Sequence, residues 1–135
     1  MQFLHPKNWA PTRGFSNGVT ADGRQVFIAG QVGWNARQEI VDDDFIAQVE
    51  QALRNVVDVL AEADARPEHL VRLTWYVTDK QEYIRRASEV GEVYRRVIGR
   101  HFPAMTLVQV AALVEDRAKV EIEATAVVPN LELRT

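Results

Sequence analysis

The sequence predicts an α+β domain, a mixed sheet in the order β-β-α-β-α-β-β with two helices on one of its faces. Three observations carry that expectation. Two stretches repeat apolar residues at the three-and-four spacing of amphipathic helices, the stretches around them are rich in β-branched and aromatic residues, and the two classes alternate along the chain. No linker, repeat or low-complexity tract divides them, so the 135 residues read as one domain, 1–135, with a core from about 15 to 128. A chain of this length buries roughly two-thirds of its unfolded surface, enough for a core without staples.

Each element has a local reason. Ser16 to Thr20 reads as a short strand, and Asp22-Gly23 suits a tight turn into Gln25 to Val32 (QVFIAGQV), so a hairpin is expected there. Asp42, Asp43 and Asp44 supply an acidic first turn to a helix striped by Phe45, Val49, Ala52, Leu53, Val56, Leu60 and Ala63. Pro67 opens a short turn over Glu68 to Leu70. In the strand Val71 to Thr78, Val71, Leu73, Trp75 and Val77 alternate with Arg72, Thr74, Tyr76 and Thr78, which gives it two unlike faces. Asp79 is placed to cap a second helix, with Glu82 able to bond back to the cap. Tyr83, Ala87, Val90, Tyr94 and Val97 form its stripe and Gly99 stops it. Met105 to Leu113 and Ala118 to Val128 read as strands joined by a turn at Glu115-Asp116-Arg117, and Pro129 ends the pairing.

Right-handed crossovers place both helices on one face of such a sheet. On the last strand Val120, Ile122, Ala124 and Ala126 then face the helices, which leaves Lys119, Glu121, Glu123 and Thr125 on the open side. Phe27, Tyr76 and Leu107 are assigned to that side as well. A face of this composition is too apolar to be left in water, so a homo-oligomer closed through it is expected.

Composition excludes several chemistries. With no cysteine, thiolate nucleophiles, iron–sulfur clusters and Cys-ligated zinc are unavailable, and a reducing, cytoplasmic setting is favoured. The 16 Lys+Arg against 19 Asp+Glu leave a net charge of −3, which counts against nucleic acid as a partner. The first fifteen residues contain no apolar run, so no signal peptide is expected, and no stretch approaches the ~20 apolar residues of a membrane span. His5, His69 and His101 have no paired spacing and read as solvated side chains rather than metal ligands, so no metal is expected. Arg85-Arg86 and Arg95-Arg96, among Glu82, Glu89 and Glu92, read as a solvated helix face with local ion pairs. Glu121 and Glu123 share one face of a strand; a carboxylate held there in a partly dry cleft could deprotonate water, whereas a solvated edge is the plainer alternative.

Four motifs occur in order: GRQVFIAGQVG after a D-G turn, LTWYVTD before a helix, FPAMTLVQVA, and KVEIEATAV. From about Phe15 to Val128 they resemble the reactive intermediate deaminase A family (RidA, also called YjgF or L-PSP). The resemblance implies a chorismate-mutase-like fold, a homotrimer with clefts between neighbouring subunits, and hydrolysis of enamines and imines to ketoacids and ammonia without a cofactor. It carries the glutamate that positions the attacking water onto Glu121. Elsewhere this chain departs from the pattern. The FPAR arginine that holds the substrate carboxylate is Met105, a tyrosine near the start is Phe15, the serine before G-Q is Ala29, next to Gly30, and a helix asparagine aligns with Gly91. Leu107 and Trp34 add further apolar lining. Without the bidentate clamp, each of whose bonds is worth roughly 1.5–3 kcal/mol, the resemblance points to an altered and uncarboxylated imine or enamine substrate. Arg13, Arg100 or a neighbouring subunit's arginine is the alternative source of a clamp. A trimeric small-ligand-binding or regulatory module without deaminase activity is the second reading. The endoribonuclease and translation-inhibitor function also attached to the family is disfavoured by the acidic balance.

Overall fold

The last strand in the chain is the one the sheet is built around. In the computed structural model, which describes residues 1–130, Val120–Val128 (β6) pairs antiparallel with Arg24–Val32 (β3) on one side and Leu70–Val77 (β4) on the other. β4 in turn pairs in parallel with Ala104–Gln109 (β5), which gives the order β3-β6-β4-β5. Phe45–Glu62 (α1) and a 3-10 turn, Pro67–His69, connect β3 to β4, and Lys80–Arg85 (α2) with Ala87–Val97 (α3) connect β4 to β5. Residues 131–135, the end of the span read as one domain, lie outside the described residues.

The fold class is as expected, but neither expected hairpin forms. Gly18–Thr20 (β2) pairs with an unforeseen strand, Gln2–Leu4 (β1), in a separate two-stranded sheet. β3 turns instead to β6, which matches its nine residues, whereas a three-residue partner would leave most of its ladder unpaired. At the other end, β5 stops at Gln109 rather than Leu113, and β4 separates it from β6. A strand as buried as β4, with Leu70, Leu73, Trp75 and Val77 all buried, needs a hydrogen-bonding partner on both edges. The 110–119 loop therefore runs back along its end, where Val110 N–H donates to Val77 O and Thr78 N–H to Lys119 O.

Alternation on β6 behaves as expected: Val120, Ile122, Ala124 and Ala126 are buried against the α1 stripe, with Glu121, Glu123 and Thr125 half-exposed on the other side. Three acidic residues do not fill the first turn of α1. Asp44 is its N-cap and accepts from Ala47 N–H at 3.1 Å. The second helix is broken at Arg86, which ends α2 and starts α3. Asp79 caps α2 through Gln81 and Glu82 N–H, while the Glu82 carboxylate reaches Arg86 rather than the cap. Gly99, at φ 100°, stops α3 as expected. The histidines are not simply solvated. His69 is buried and accepts from Arg66 N–H, and His101 lies 2.7 Å from Leu70 O.

One buried polar side chain ties the layers together. Gln48 on α1 is fully buried; its amide donates to Asp42 O at 2.9 Å and Arg117 O at 3.0 Å, and accepts from Lys119 N–H at 2.7 Å. Gly33 makes that approach possible, since a β-carbon there would lie 2.8 Å from Gln48 Cα. The start of β6 is thus fixed to α1, two residues before Glu121.

Arg86 forms the principal surface network, bonding Asp44, Glu82 and Glu89. The hydrogen bond from Arg86 holds the Asp44 and Glu89 carboxyls below their ordinary values, and bonds from Arg54 and then Arg96 do so for Glu50. Depressed carboxyls contribute stability above their unfolded pKa and lose it as pH falls through the folded one. The urea midpoint is therefore expected to be flat above about pH 5 and to fall below it. The gap between wild type and Arg86→Gln should close as the pH approaches about 3; a gap unchanged at that pH would rule out the network as its source.

Candidate functional site

Two groups of the sequence-predicted residues emerge, one on each side of the sheet. On the open side, Glu121 is the register partner of Tyr76, and Glu123 that of Thr74. Tyr76 Oη donates to Glu123 Oε1 at 2.8 Å, and this bond holds the phenol neutral by raising its pKa. Glu123 is therefore occupied. Glu121 makes no hydrogen bond or ion pair among the described residues, and its half-exposed carboxylate is available.

Gly30 decides where that carboxylate sits. The β3–β6 register slips between Ile28 and Gln31, a bulge that brings Gly30 against Glu121, and a β-carbon at 30 would collide with Oε2, with Cδ at 2.8 Å. Ala29, exposed beside it, accepts a bond from Gln31 Nε2. Phe27, 73% exposed, and Val108 lie on the same side as the partners of Thr125 and Tyr76.

Leu107 does not belong to this face. In parallel pairing it is the partner of Trp75, and Met105 that of Leu73, so both side chains pack toward the helices against the core. The expected placement of Leu107 on the open face fails because Met105/Leu107 and Val108/Val110 are equally apolar, so alternation along β5 does not distinguish its faces; the pairing with buried β4 residues does.

Met105 and Gly91 meet instead at a cavity of about 460 Å³ between the β4–β5 edge and α3, on the helical side. Trp75, Tyr83 and Phe102 form apolar wall, and Arg13-Gly14 and Arg95 complete it. The 13–16 segment is fastened there by Ser16, whose N–H donates to Pro103 O and whose Oγ donates to Phe102 O at 2.6 Å. Phe15 is exposed within this segment. Burial raises the pKa of the Tyr83 phenol, and that of the Tyr94 phenol more strongly. Trp34 packs elsewhere, against Val32 and Ile40, and Arg100 is not among the cavity-lining residues.

Arg95 and Trp75 were not foreseen as site residues. Arg96 does not pair locally with Glu89 or Glu92 as expected but bonds Glu50 on α1 at 2.6 Å, and Arg95 turns to the cavity. A signal was present in the sequence, since glycine inside a helix is costly and Gly91 stands one turn before Arg95. Among the described residues no group of three or more His, Asp or Glu converges as a metal site would, and no helix is long and apolar enough to cross a membrane.

Comparison with known proteins places this arrangement in context. A family model described as endoribonuclease L-PSP matches residues 6–128. Protein DfrA of Myxococcus xanthus is 38% identical over 115 residues, covering 84% of both chains. The 2-iminobutanoate/2-iminopropanoate deaminase of Capra hircus is 33% identical, covering 84% of this chain and 79% of its own. Among solved structures, YyfB of Yersinia pestis, a member of the conserved Rid protein family, superposes with a TM-score of 0.84 at 34% identity over 94% of this chain and 98% of its own. E. coli TdcF with bound serine gives 0.67 at 27% identity, over 95% and 99%.

Proposed function

We propose, from the premise that this chain belongs to the endoribonuclease L-PSP (Rid/YjgF) family, that it is a cofactor-independent hydrolase of enamine and imine C=N bonds with an altered substrate choice. Some relatives at about a third identity carry the name 2-iminobutanoate/2-iminopropanoate deaminase. The observation that carries the reading to this chain is Glu121, a carboxylate with no partner, held against Gly30 while its neighbour Glu123 is engaged. In the reaction, Glu121 takes a proton from water as the oxygen adds to the C=N carbon, and the nitrogen is protonated to give a carbinolamine. Collapse to the carbonyl expels ammonia. Both protons come from the water consumed, so no other reactant is needed.

Within one chain Glu121 and the cavity lie on opposite sides of the sheet, so neither is a whole site. A homotrimer, with the open face of one copy against the cavity edge of the next, would bring them together and cover Phe27. The cytoplasm suits such a cysteine-free chain. Sedimentation is then expected to give a mass near three times 15.3 kDa. Ammonia release from freshly generated imines, with and without a carboxylate, tests the chemistry. Rates equal to buffer across the panel would defeat it and favour the ligand-binding module. Gly30→Ala is expected to cost about 10²-fold in kcat/KM by displacing the carboxylate. Its melting temperature should move little, because all three close contacts are with the half-exposed Glu121 side chain and none is with backbone. An unimpaired Gly30→Ala enzyme would remove Glu121 from the reaction as placed.

A further inference from the structure

The cavity beside Met105 is cationic even though the arginine expected at that position is missing. Both charged side chains in its wall are arginines, Arg13 and Arg95, and neither makes a hydrogen bond or ion pair among the described residues. Arg95 differs from an ordinary surface arginine. A β-carbon built on Gly91, one turn earlier on α3, would lie 3.2 Å from one of its terminal guanidinium nitrogens. The guanidinium thus lies down over the glycine at the cavity wall, in space that a side chain at 91 would contest. Facing this charged end the wall is apolar, with Trp75, Tyr83, Phe102 and Met105. The indole N–H of Trp75, another lining residue, is buried and has no acceptor among the described residues.

We propose that Arg95, assisted by Arg13, is the anion clamp of this site, so that its ligand is a small carboxylate with an aromatic or long aliphatic body. Both arginines are exposed and reach water, so an uncarboxylated ligand would gain nothing from either, whereas a carboxylate would gain a charge-assisted bond. A very short acid would leave the aromatic wall unfilled, in a cavity of about 460 Å³ that falls in the range of pockets taking drug-sized ligands. The substrate class that follows, the imine of an aromatic or large aliphatic amino acid, rests on the hydrolase reading above. Carboxylate binding itself does not.

The experiment is calorimetric titration of the intact protein with phenylpyruvate, the ketoacid product of such an imine, alongside 2-oxobutanoate and phenylacetone, its counterpart without a carboxylate. Phenylpyruvate is expected to bind at least tenfold more tightly than either. Arg95→Gln should weaken phenylpyruvate by about tenfold or more, Arg95→Lys by less, and Arg13→Gln by several-fold, with phenylacetone unchanged. Arg100→Gln, outside the cavity wall, should change nothing. Equal binding of phenylacetone and phenylpyruvate, or full affinity in the Arg13→Gln/Arg95→Gln double variant, would overturn the clamp. Ammonia release is scored separately. Carboxylate binding of this pattern without release defeats the hydrolase and leaves the clamp standing, whereas release from uncarboxylated imines with no preference for the acid defeats the clamp alone.

Discussion

Glu121→Gln is expected to lower kcat/KM for imine hydrolysis by about 10²–10⁴-fold, the usual share of a positioned acid or base, or roughly 2.7–5.5 kcal/mol of barrier. The amide has the shape of the carboxylate and meets Gly30 in the same way, so the bulge in β3 and the pairing of β6 are undisturbed. What it loses is the capacity to accept a proton from water. Folding and ligand binding at the cavity should therefore survive, because Glu121 makes no bond that holds the chain together. Glu123→Gln provides the contrast. It replaces the carboxylate that accepts from Tyr76 by an amide oxygen that can still accept, and activity should stay within a few-fold of wild type. A Glu121→Gln enzyme with near-normal turnover, or equal losses in the two variants, would show that the face is a solvated edge rather than a reacting centre.

The largest effect on stability is expected at Gln48. Leucine there is close in size and more apolar, yet it would leave Lys119 N–H and the carbonyls of Asp42 and Arg117 without their partner inside the protein. Each buried unsatisfied group costs about 1–3 kcal/mol, so a net loss of about 3 kcal/mol is expected after the gain from apolar burial. In a chain of this size that corresponds to about 10 °C in Tm. Solvent reaching the loosened loop would lower the figure, and a loss below about 0.5 kcal/mol would show that these backbone groups re-pair elsewhere. Gln48→Leu should also impair turnover beyond what its folded fraction explains, because Lys119 leads directly into β6, two residues before Glu121.

How much of this was legible in the sequence follows from the range of the interactions. The α1 stripe from Phe45 to Leu60, the alternation of β6 and of β4 from Leu73 onward, and the stop at Gly99 rest on neighbours within a turn or a strand and are as expected. A bulge between Leu70 and Arg72, by contrast, buries Leu70 in place of Val71, and Ala63 caps α1 rather than continuing its stripe. Strand pairing is a contest between distant partners. Asp22-Gly23 looks like a hairpin turn, but nothing local reveals that β3 has a better partner a hundred residues on, or that Gln2–Leu4 awaits β2. The helix is broken at Arg86 although its apolar stripe continues through it, and the Arg86 side chain bonds Asp44, the N-cap of α1, 42 positions away, which no local pattern reveals. At the proposed site, Glu121 stands out in the sequence through its motif, whereas nothing local separates Arg95, which lines the cavity, from its neighbour Arg96. Leu107 was misplaced since its strand is apolar on both faces.

The central position of β6 has a consequence for biosynthesis. Every strand that flanks it is translated earlier, so a chain paused before residue 120 holds β3 and β4 with their inward edges bare. Two unpaired, largely apolar edges on one nascent chain are a template for joining other chains. The interval between the emergence of Val77 and that of Val128 from the ribosome is therefore when this protein is most exposed to aggregation. Premature termination in the 110–119 loop would yield a fragment in which β3 has no partner and β4 is paired on one edge alone, by β5.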